Sequence, residues 1–258
     1  MWYNSAMKVR RLKSVLIILF LVSVLLVYLF SPSFELKKIL FDEQIQSDAQ
    51  IIMEQTKIRF GDNLNAMLIK QGNLFTGHLT KAEEILSSDI YKKQIVVNRT
   101  GKNDIEISYS RRKPVICILY DEYYLYCDYD GVVLYASKLK EENSIYIEDI
   151  ELNCFYVGLD ISTCTYMFEP VSVLCYEIEK YDKENFTAIR ALISNIELKD
   201  NNRISIKYDK RIEIVMDMTK DVRYSANVMC NILSQINQTV KGYIDFTISK
   251  TPYFTPES

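Results

Sequence analysis

The sequence predicts an α+β protein with a single N-terminal transmembrane helix, a β-α-α-β-β domain, and then an antiparallel β-rich domain with packed helices. Three observations predict this class. Residues 14–30 form an uncharged apolar run, the following stretch alternates between strand and helix patterns, and short strand-like runs separated by turn residues dominate after Pro114. With 48% apolar and 25% charged residues, the chain has the composition of a packed globular protein.

The N-terminal region predicts a membrane anchor. Residues 1–13 are expected to be a cytoplasmic tail, because they contain four basic residues and no acidic one. The run 14–30 covers roughly 25 Å as a helix, which spans a hydrocarbon core with local thinning. Because Lys and Arg favour the cytoplasmic side, residues 31–258 are expected to lie outside. The alternative is a cleaved signal peptide with its small residues at Ser31 and Ser33.

Charge and side-chain chemistry exclude several functions. Residues 14–258 hold 27 basic and 34 acidic residues, which argues against nucleic-acid binding. The only histidine is His78 and no Cys-x-x-Cys occurs, so neither a metal site nor a cofactor is predicted. Pairing of the cysteines in disulfides stays open, but their apolar surroundings favour buried free thiols. The six are Cys117, Cys127, Cys154, Cys164, Cys175 and Cys230.

The first outer domain is predicted over residues 34–111. Ser47 is a plausible N-cap for a helix that starts at Asp48 and bends or breaks at Gly61. Thr80 and Glu83 have the spacing of a capping box at the start of a second helix. The predicted strands are Phe34–Phe41, Lys93–Asn98 and Asp104–Ser110.

The second outer domain is predicted over residues 112–250, followed by a tail at 251–258. Its predicted strands are 115–120, 123–127, 132–136, 204–208, 212–216 and 243–249, with a hairpin at Asp209-Lys210. Helical spacing predicts one helix through Phe186, Ile189, Leu192, Ile193 and Ile196 and another through Val222–Ile236.

No catalytic residue is predicted. Gly72-x4-Gly77 lacks the lysine that a phosphate-binding loop needs, since His78 follows. Paired carboxylates such as Glu83 and Glu84 are adjacent in sequence, so their side chains diverge. The sequence therefore favours a protein that is not an enzyme.

Several motifs resemble the FtsQ/DivIB family of bacterial cell-division proteins, whose first outer domain has the POTRA fold. The turn Gly72-Asn73-Leu74-Phe75 is similar to the family's Gly-x-Asn-Leu-Phe. Arg111-Arg112-Lys113-Pro114-Val115 is similar to its Glu-Arg-x-Pro-Val, and Asp128–Val133 to its Asp-x-x-Gly-x-Val hairpin. The β-α-α-β-β unit is thus expected to be POTRA-like. Gly242–Phe246 resembles the family's last strand, whereas the match over 136–215 is weak.

The resemblance implies a non-catalytic, single-pass scaffold at the division septum that helps regulate septal peptidoglycan synthesis. The implied partners are FtsL-type and FtsB/DivIC-type single-pass proteins, with septal peptidoglycan synthases as further candidates. The expected mechanism is strand addition at the edge formed by the last strand. The candidate partner-binding residues are Tyr243, Ile244, Phe246, Ile248, Tyr253 and Phe254, although Ile244, Phe246 and Ile248 also fit a core-facing role.

Two other classes of function remain open from the sequence. One is an anchor for a sporulation or secretion complex of the envelope that uses the same POTRA-like unit. The other is a membrane-tethered envelope hydrolase with a dispersed carboxylate site.

Overall fold

The computed structural model describes residues 2–141, 144–200, 202–237, 239–248 and 252–256, with side chains from Lys13 onward. Most side chains of the predicted basic tail, those of Lys8, Arg10 and Arg11, lie outside the described residues, as does Ser249 at the predicted end of the last strand. The chain is α+β and divides into two compact units, Met1–Arg112 and Lys113–Ser258.

The first unit has a three-stranded sheet of order β1-β3-β2, in which β1 is parallel and β2 antiparallel to β3. Short 3-10 helices at Pro32–Phe34 and Glu43–Asp48 flank β1. The elements are α1 (Trp2–Leu29), β1 (Lys38–Phe41), α2 (Ala49–Thr56), α3 (Leu64–Gln71), α4 (Thr80–Ser87), β2 (Lys92–Arg99) and β3 (Asp104–Arg111).

The apolar N-terminal segment lies within α1. Its apolar side chains from Val15 to Val27 are between 46% and 75% exposed. In the part of the chain that the structure describes, no helix combines the length and the apolar character that crossing a membrane requires.

The predicted first helix of this unit is wrong in extent, because two helices replace it. Helix α2 ends where Lys57 takes a left-handed conformation (φ 58°). The chain resumes as α3 at Asn63, whose side chain accepts a hydrogen bond from the Ala66 N–H at 3.0 Å. Strand β1 also starts later than predicted, at Lys38, because Phe34 belongs to a 3-10 turn.

The predicted capping box at α4 is also wrong. Leu79, not Thr80, is the N-cap residue, and no side chain caps this helix. The Glu83 carboxylate instead contacts His78 Nδ1 and accepts the Val97 N–H, both at 2.9 Å. Glu83 therefore joins α4 to β2 and the preceding loop. The core of the unit consists of fully buried side chains such as Ile45, Ile52, Leu64, Leu68, Leu86, Val97, Ile105 and Ile107.

The second unit contains a nine-stranded sheet of order β12-β11-β10-β9-β8-β7-β4-β5-β6. Its strands are β4 (Ile116–Tyr120), β5 (Tyr123–Cys127), β6 (Val133–Ser137), β7 (Ile145–Glu148), β8 (Ile193–Lys199), β9 (Arg203–Tyr208), β10 (Ile212–Asp217), β11 (Gly242–Asp245) and β12 (Tyr253–Pro256). Its helices are α5 (Phe168–Asn185), α6 (Ile189–Leu192) and α7 (Val222–Gln235).

The sheet is mixed rather than antiparallel as predicted. The pairs β4–β7, β7–β8 and β10–β11 are parallel. Parallel neighbours need a crossover connection, and α5 and α7 lie in two of these connections. Alternate strand residues pack with both helices in one core that includes Ile118, Ile147, Leu174, Ile206, Met229 and Ile244.

The predicted helix through Phe186, Ile189, Leu192, Ile193 and Ile196 is wrong in extent, because only Ile189 and Leu192 are helical, in the short α6. Phe186 is the left-handed C-cap of α5 and is 95% exposed, whereas Ile193 and Ile196 belong to strand β8. The register of β8 against β9 shifts between Ile193 and Asn195, as at a β-bulge. The bulge turns both isoleucines toward the core although they are three residues apart.

Candidate partner-binding edge

The C-terminal edge of the second sheet is formed by β12. Strand β11 lies between β10, to which it is parallel, and β12, to which it is antiparallel. Among the described strands, none pairs with the outer side of β12. The prediction that residues 243–249 form the edge is therefore wrong, because Tyr253–Pro256 covers that strand.

Backbone and side-chain hydrogen bonds fix β11 on the sheet. The Gly242 N–H donates to the Arg211 carbonyl at 3.1 Å, and the Phe246 N–H donates to Val215 at 2.9 Å. The Arg211 guanidinium donates to the Val240 carbonyl at 2.5 Å and to Asp209 at 2.6 Å. The hairpin at Asp209 thus holds the segment that leads into β11.

Strand β11 ends at Asp245 for a local reason. Its carboxylate accepts hydrogen bonds from the backbone N–H of Thr247 at 2.6 Å and from the Thr247 hydroxyl at 2.7 Å. This Asx turn bends the chain out of the ladder. Lys220 Nζ then donates to the carbonyls of Phe246 and Thr247, at 3.1 and 2.6 Å.

Strand β12 packs on the sheet through the aromatic ring of Phe254. Phe254 lies opposite Ile244 and packs against the core. A Cβ built on Gly242 would lie 2.5 Å from two ring carbons of Phe254 and from the Thr255 carbonyl oxygen. Only glycine at position 242 allows this close approach.

The six predicted residues lie on different parts of the edge. Ile244 and Phe246 are buried, so the core-facing alternative holds for both, whereas Ile248 is 85% exposed beyond the Asx turn. Tyr243 pairs with Thr255 and Tyr253 with Asp245 across the ladder. Directly opposed residues share a face, so both tyrosines lie on the face opposite Ile244 and Phe254.

A shallow groove of about 420 Å³ lies beside this tyrosine face. Burial, with smaller contributions from Asp245 and Glu213, raises the pKa of Tyr243, so its hydroxyl stays protonated and able to donate at neutral pH. The residues that line the groove are Lys207, Lys210, Arg211, Ile212, Glu213, Gly242, Tyr243, Thr255 and Pro256.

The chemistry of this edge is that of recognition. Its outer strand offers main-chain N–H and C=O groups to an added strand, and its tyrosines offer amphipathic contact area. Within the described part of the chain, no group of three or more His, Cys, Asp or Glu side chains is placed to hold a metal ion.

Sequence reasoning missed Gly242, Asp245, Lys220 and the strand β12 itself. Strand β12 follows Pro252 and ends at Pro256, and its four residues are too few for an alternation signal. Asp245 with Thr247 was the one available signal, since this spacing is typical of an Asx turn.

No family model matches the chain. The cell-division protein DivIB of Clostridium acetobutylicum is 26% identical over 213 residues, which cover 80% of this chain and 81% of that protein. The major extracytoplasmic domain of DivIB from Geobacillus stearothermophilus aligns with 46% of this chain and 85% of the solved chain, with 11% identity and a TM-score of 0.30.

The similarity to the clostridial DivIB extends over most of both chains and agrees with the motifs quoted above. It confirms the predicted resemblance to the FtsQ/DivIB family and supports a role in cell division.

Proposed function

We propose that this protein is a non-catalytic, membrane-anchored scaffold of the division machinery that binds a partner by strand addition at β12. The free outer side of β12 among the described strands is the observation that carries the proposal. The expected partners are single-pass division proteins of the FtsL and FtsB/DivIC types, through which the scaffold helps regulate septal peptidoglycan synthases.

The side chains at this edge supply the specificity. Strand β12 is short and ends at Pro256, which has no N–H to donate, so its main chain alone gives a weak template. Tyr253 is 72% exposed, and Tyr243 lies near it on the same face. Exposed tyrosines beside an open edge are typical anchors for a partner.

The proposal assigns the segment 14–30 as the anchor, with the N-terminus in the cytoplasm and residues 31–258 outside. The exposed apolar side chains of α1 support this assignment. Residues 34–111 are assigned as the POTRA-like domain and 112–250 as the β-rich domain. The mixed sheet β1-β3-β2 of the first unit, with helices between β1 and β2, supports the former assignment.

A matched pair of substitutions tests the edge. We expect Tyr253→Asp to reduce co-purification of the single-pass division proteins at least tenfold, because a charge that the bound partner would bury replaces an aromatic contact. Tyr166→Asp is the control, since Tyr166 is 77% exposed in the same unit but lies before α5, away from the edge in sequence. Equal binding by both variants would contradict the proposal.

Localisation tests the wider role. A fluorescent fusion to the N-terminus is expected to form a band at mid-cell before constriction, and the Tyr253→Asp variant to lose part of that band. A uniform membrane signal from the unsubstituted protein would remove the support for a division scaffold. It would favour the envelope-anchor alternative instead.

A further inference from the structure

The C-terminal end of α1 is hydrogen-bonded to the first unit. Asn65 Nδ2 donates to the Leu29 carbonyl at 2.9 Å, which satisfies one of the free carbonyls at the end of the helix. Asn63 Nδ2 donates to Ser31 at 3.0 Å and Asn103 Nδ2 to Ser33 at 2.9 Å. Three asparagines therefore fix the direction in which the chain leaves α1.

Two loops surround this exit, and together we call them the exit collar: residues 57–63 and residues 99–103. Two backbone hydrogen bonds join the first loop to Leu36. The Gly61 N–H donates to the Leu36 carbonyl at 2.9 Å, and the Leu36 N–H donates to the Asp62 carbonyl at 2.8 Å. The second loop accepts the Lys37 N–H at the Asn103 carbonyl, at 2.8 Å. The exit collar thus lies at the end of α1.

The exit collar is basic although residues 14–258 as a whole are acidic. It contains Lys57, Arg59, Arg99 and Lys102 against the carboxylate of Asp62, and the Asp104 carboxylate lies beside Gly101. None of these four basic side chains forms an ion pair with a described residue. The exit collar therefore keeps a net positive charge.

Contacts with uncharged groups hold the side chains of Arg99 and Lys102 near the exit. Arg99 donates to neutral acceptors, the carbonyls of Gly101 and Lys102 and the Asn65 side chain, at 2.7 to 2.9 Å. The Lys102 ammonium lies 5.2 Å from the centre of the Phe34 ring. Both cations are positioned by groups that leave their charge available to an anion.

An aromatic side chain lies at the tip of the first loop. Phe60 is 58% exposed, next to Gly61, whose φ of 88° makes the turn. At the end of α1, Tyr28 packs edge to face on Phe34, with 5.3 Å between the ring centres. Aromatic residues beside basic residues are typical of the boundary between hydrocarbon and headgroups.

We propose that the exit collar binds anionic phospholipid headgroups, with Phe60 inserted among them. The first unit would then be held against the outer surface of the cell membrane. The inference rests on the membrane anchoring proposed above, because α1 delivers the collar to the surface. Attraction between basic residues and anionic lipid acts within about 10 Å, and the hydrogen bonds at the exit keep the exit collar beside the end of α1.

Tryptophan quenching by brominated lipids in liposomes tests the proposal with the full chain. Trp2 is the only tryptophan, so a Trp2→Phe background carries one new tryptophan at a time. In phosphatidylglycerol-containing liposomes, we expect fluorescence of the Phe60→Trp variant to be quenched at least twofold. Tyr91→Trp is the control, because Tyr91 directly precedes β2 at the end opposite Arg99, roughly 26 Å away, and should be unaffected.

Two further variants separate the possible outcomes. The Leu21→Trp variant reports on membrane anchoring. Strong quenching of this variant without quenching of Phe60→Trp would overturn lipid binding by the exit collar and leave anchoring intact. Quenching of neither variant would overturn both proposals. Adding Lys57→Gln, Arg59→Gln and Lys102→Gln to Phe60→Trp should abolish its quenching, as should pure phosphatidylcholine. Quenching that persists equally in either case would overturn a role for anionic headgroups.

Discussion

The ring of Phe254 lies against Gly242, so that a Cβ at position 242 would approach two of its ring carbons to 2.5 Å. Because this contact seats the edge strand β12, Gly242→Ala is expected to release that strand. Moving β12 away relieves the overlap between the new methyl group and the Phe254 ring, but the lost packing lowers the free energy of unfolding by about 1–3 kcal/mol. Hydrogen exchange at the amides of Tyr253 and Thr255, which face β11, should become faster by at least tenfold when measured by mass spectrometry or NMR.

The control for this substitution is Gly101→Ala. A Cβ at Gly101 would meet the Asp104 carboxylate at 2.8 Å, the far end of a side chain that can rotate away. We expect little change in stability from that variant and none in exchange at β12. Unchanged exchange at Tyr253 and Thr255 in Gly242→Ala would show that β12 is not held by this contact.

The two hydrogen bonds from Thr247 to the Asp245 carboxylate predict that Asp245 also stabilises this edge of the sheet. Asp245→Ala removes one carboxylate that accepts two hydrogen bonds, so the unfolding free energy should fall by about 1.5–3 kcal/mol. Amide exchange over residues 246–248 should increase with it. Asp160→Ala is the matched control, because Asp160 makes the same pair of bonds to Ser162, at 2.9 and 2.6 Å, before α5. Its effect should be confined to residues 160–163.

The elements with a clean local pattern were predictable from the sequence. The hairpin of β9 and β10 alternates between polar and apolar residues except at Val215. Asp209 and Lys210 both adopt the positive φ that a two-residue hairpin turn requires. Helix α7 shows one apolar stripe and begins at the N-cap residue Asp221. In both cases local propensity and tertiary packing favour the same structure.

The errors occurred where tertiary structure changed the spacing of apolar residues. Ile193 and Ile196 have helical spacing, but a bulge gives a strand the same spacing of buried positions. Pro170, which lies in the first turn of the unpredicted helix α5, is tolerated there because that N–H needs no helical partner. The residues Tyr243, Tyr253 and Phe254 were named from the sequence, but their arrangement depends on β12 folding back, which no local pattern indicates.

The cysteines predict a labelling experiment. The structure buries Cys117, Cys127, Cys175 and Cys230 but exposes Cys154 and Cys164, so the predicted burial is wrong for those two. Burial raises the pKa of the four buried thiols, to about 11 for Cys117 and about 12 for Cys175 and Cys230. Since the thiolate is the reactive form, these four should resist alkylation at pH 7.5.

Mass spectrometry after brief maleimide treatment of the reduced protein should therefore show two adducts. Treatment in denaturant should show six. The double variant Cys154→Ser and Cys164→Ser should show none in the native state. A third rapid adduct on the unsubstituted native protein would mean that one of the four buried sites opens readily.

Asp48 predicts an acid-sensitive contribution to the stability of the first unit. Its carboxylate accepts hydrogen bonds from the Tyr109 hydroxyl at 2.6 Å and from Arg111 at 2.5 Å. The Tyr109 bond, followed by the bond and charge of Arg111, lowers the pKa of Asp48 although partial burial opposes it. A lowered pKa means that the folded state favours the ionised form of Asp48. The resulting stabilisation is complete above the pKa of Asp in the unfolded chain, about 3.9, and disappears as the pH falls through the lower pKa of Asp48 in the folded protein.

Asp48→Asn should accordingly lower the midpoint of urea unfolding at pH 7. Its deficit relative to the unsubstituted protein should shrink as the pH is lowered from about 5 to 2. Glu84→Gln is the control, because Glu84 is exposed on α4; its midpoint should match the unsubstituted protein at every pH. A deficit in Asp48→Asn that stays constant down to pH 2 would show that the loss comes from packing or geometry, since only a charge-dependent contribution is lost on protonation.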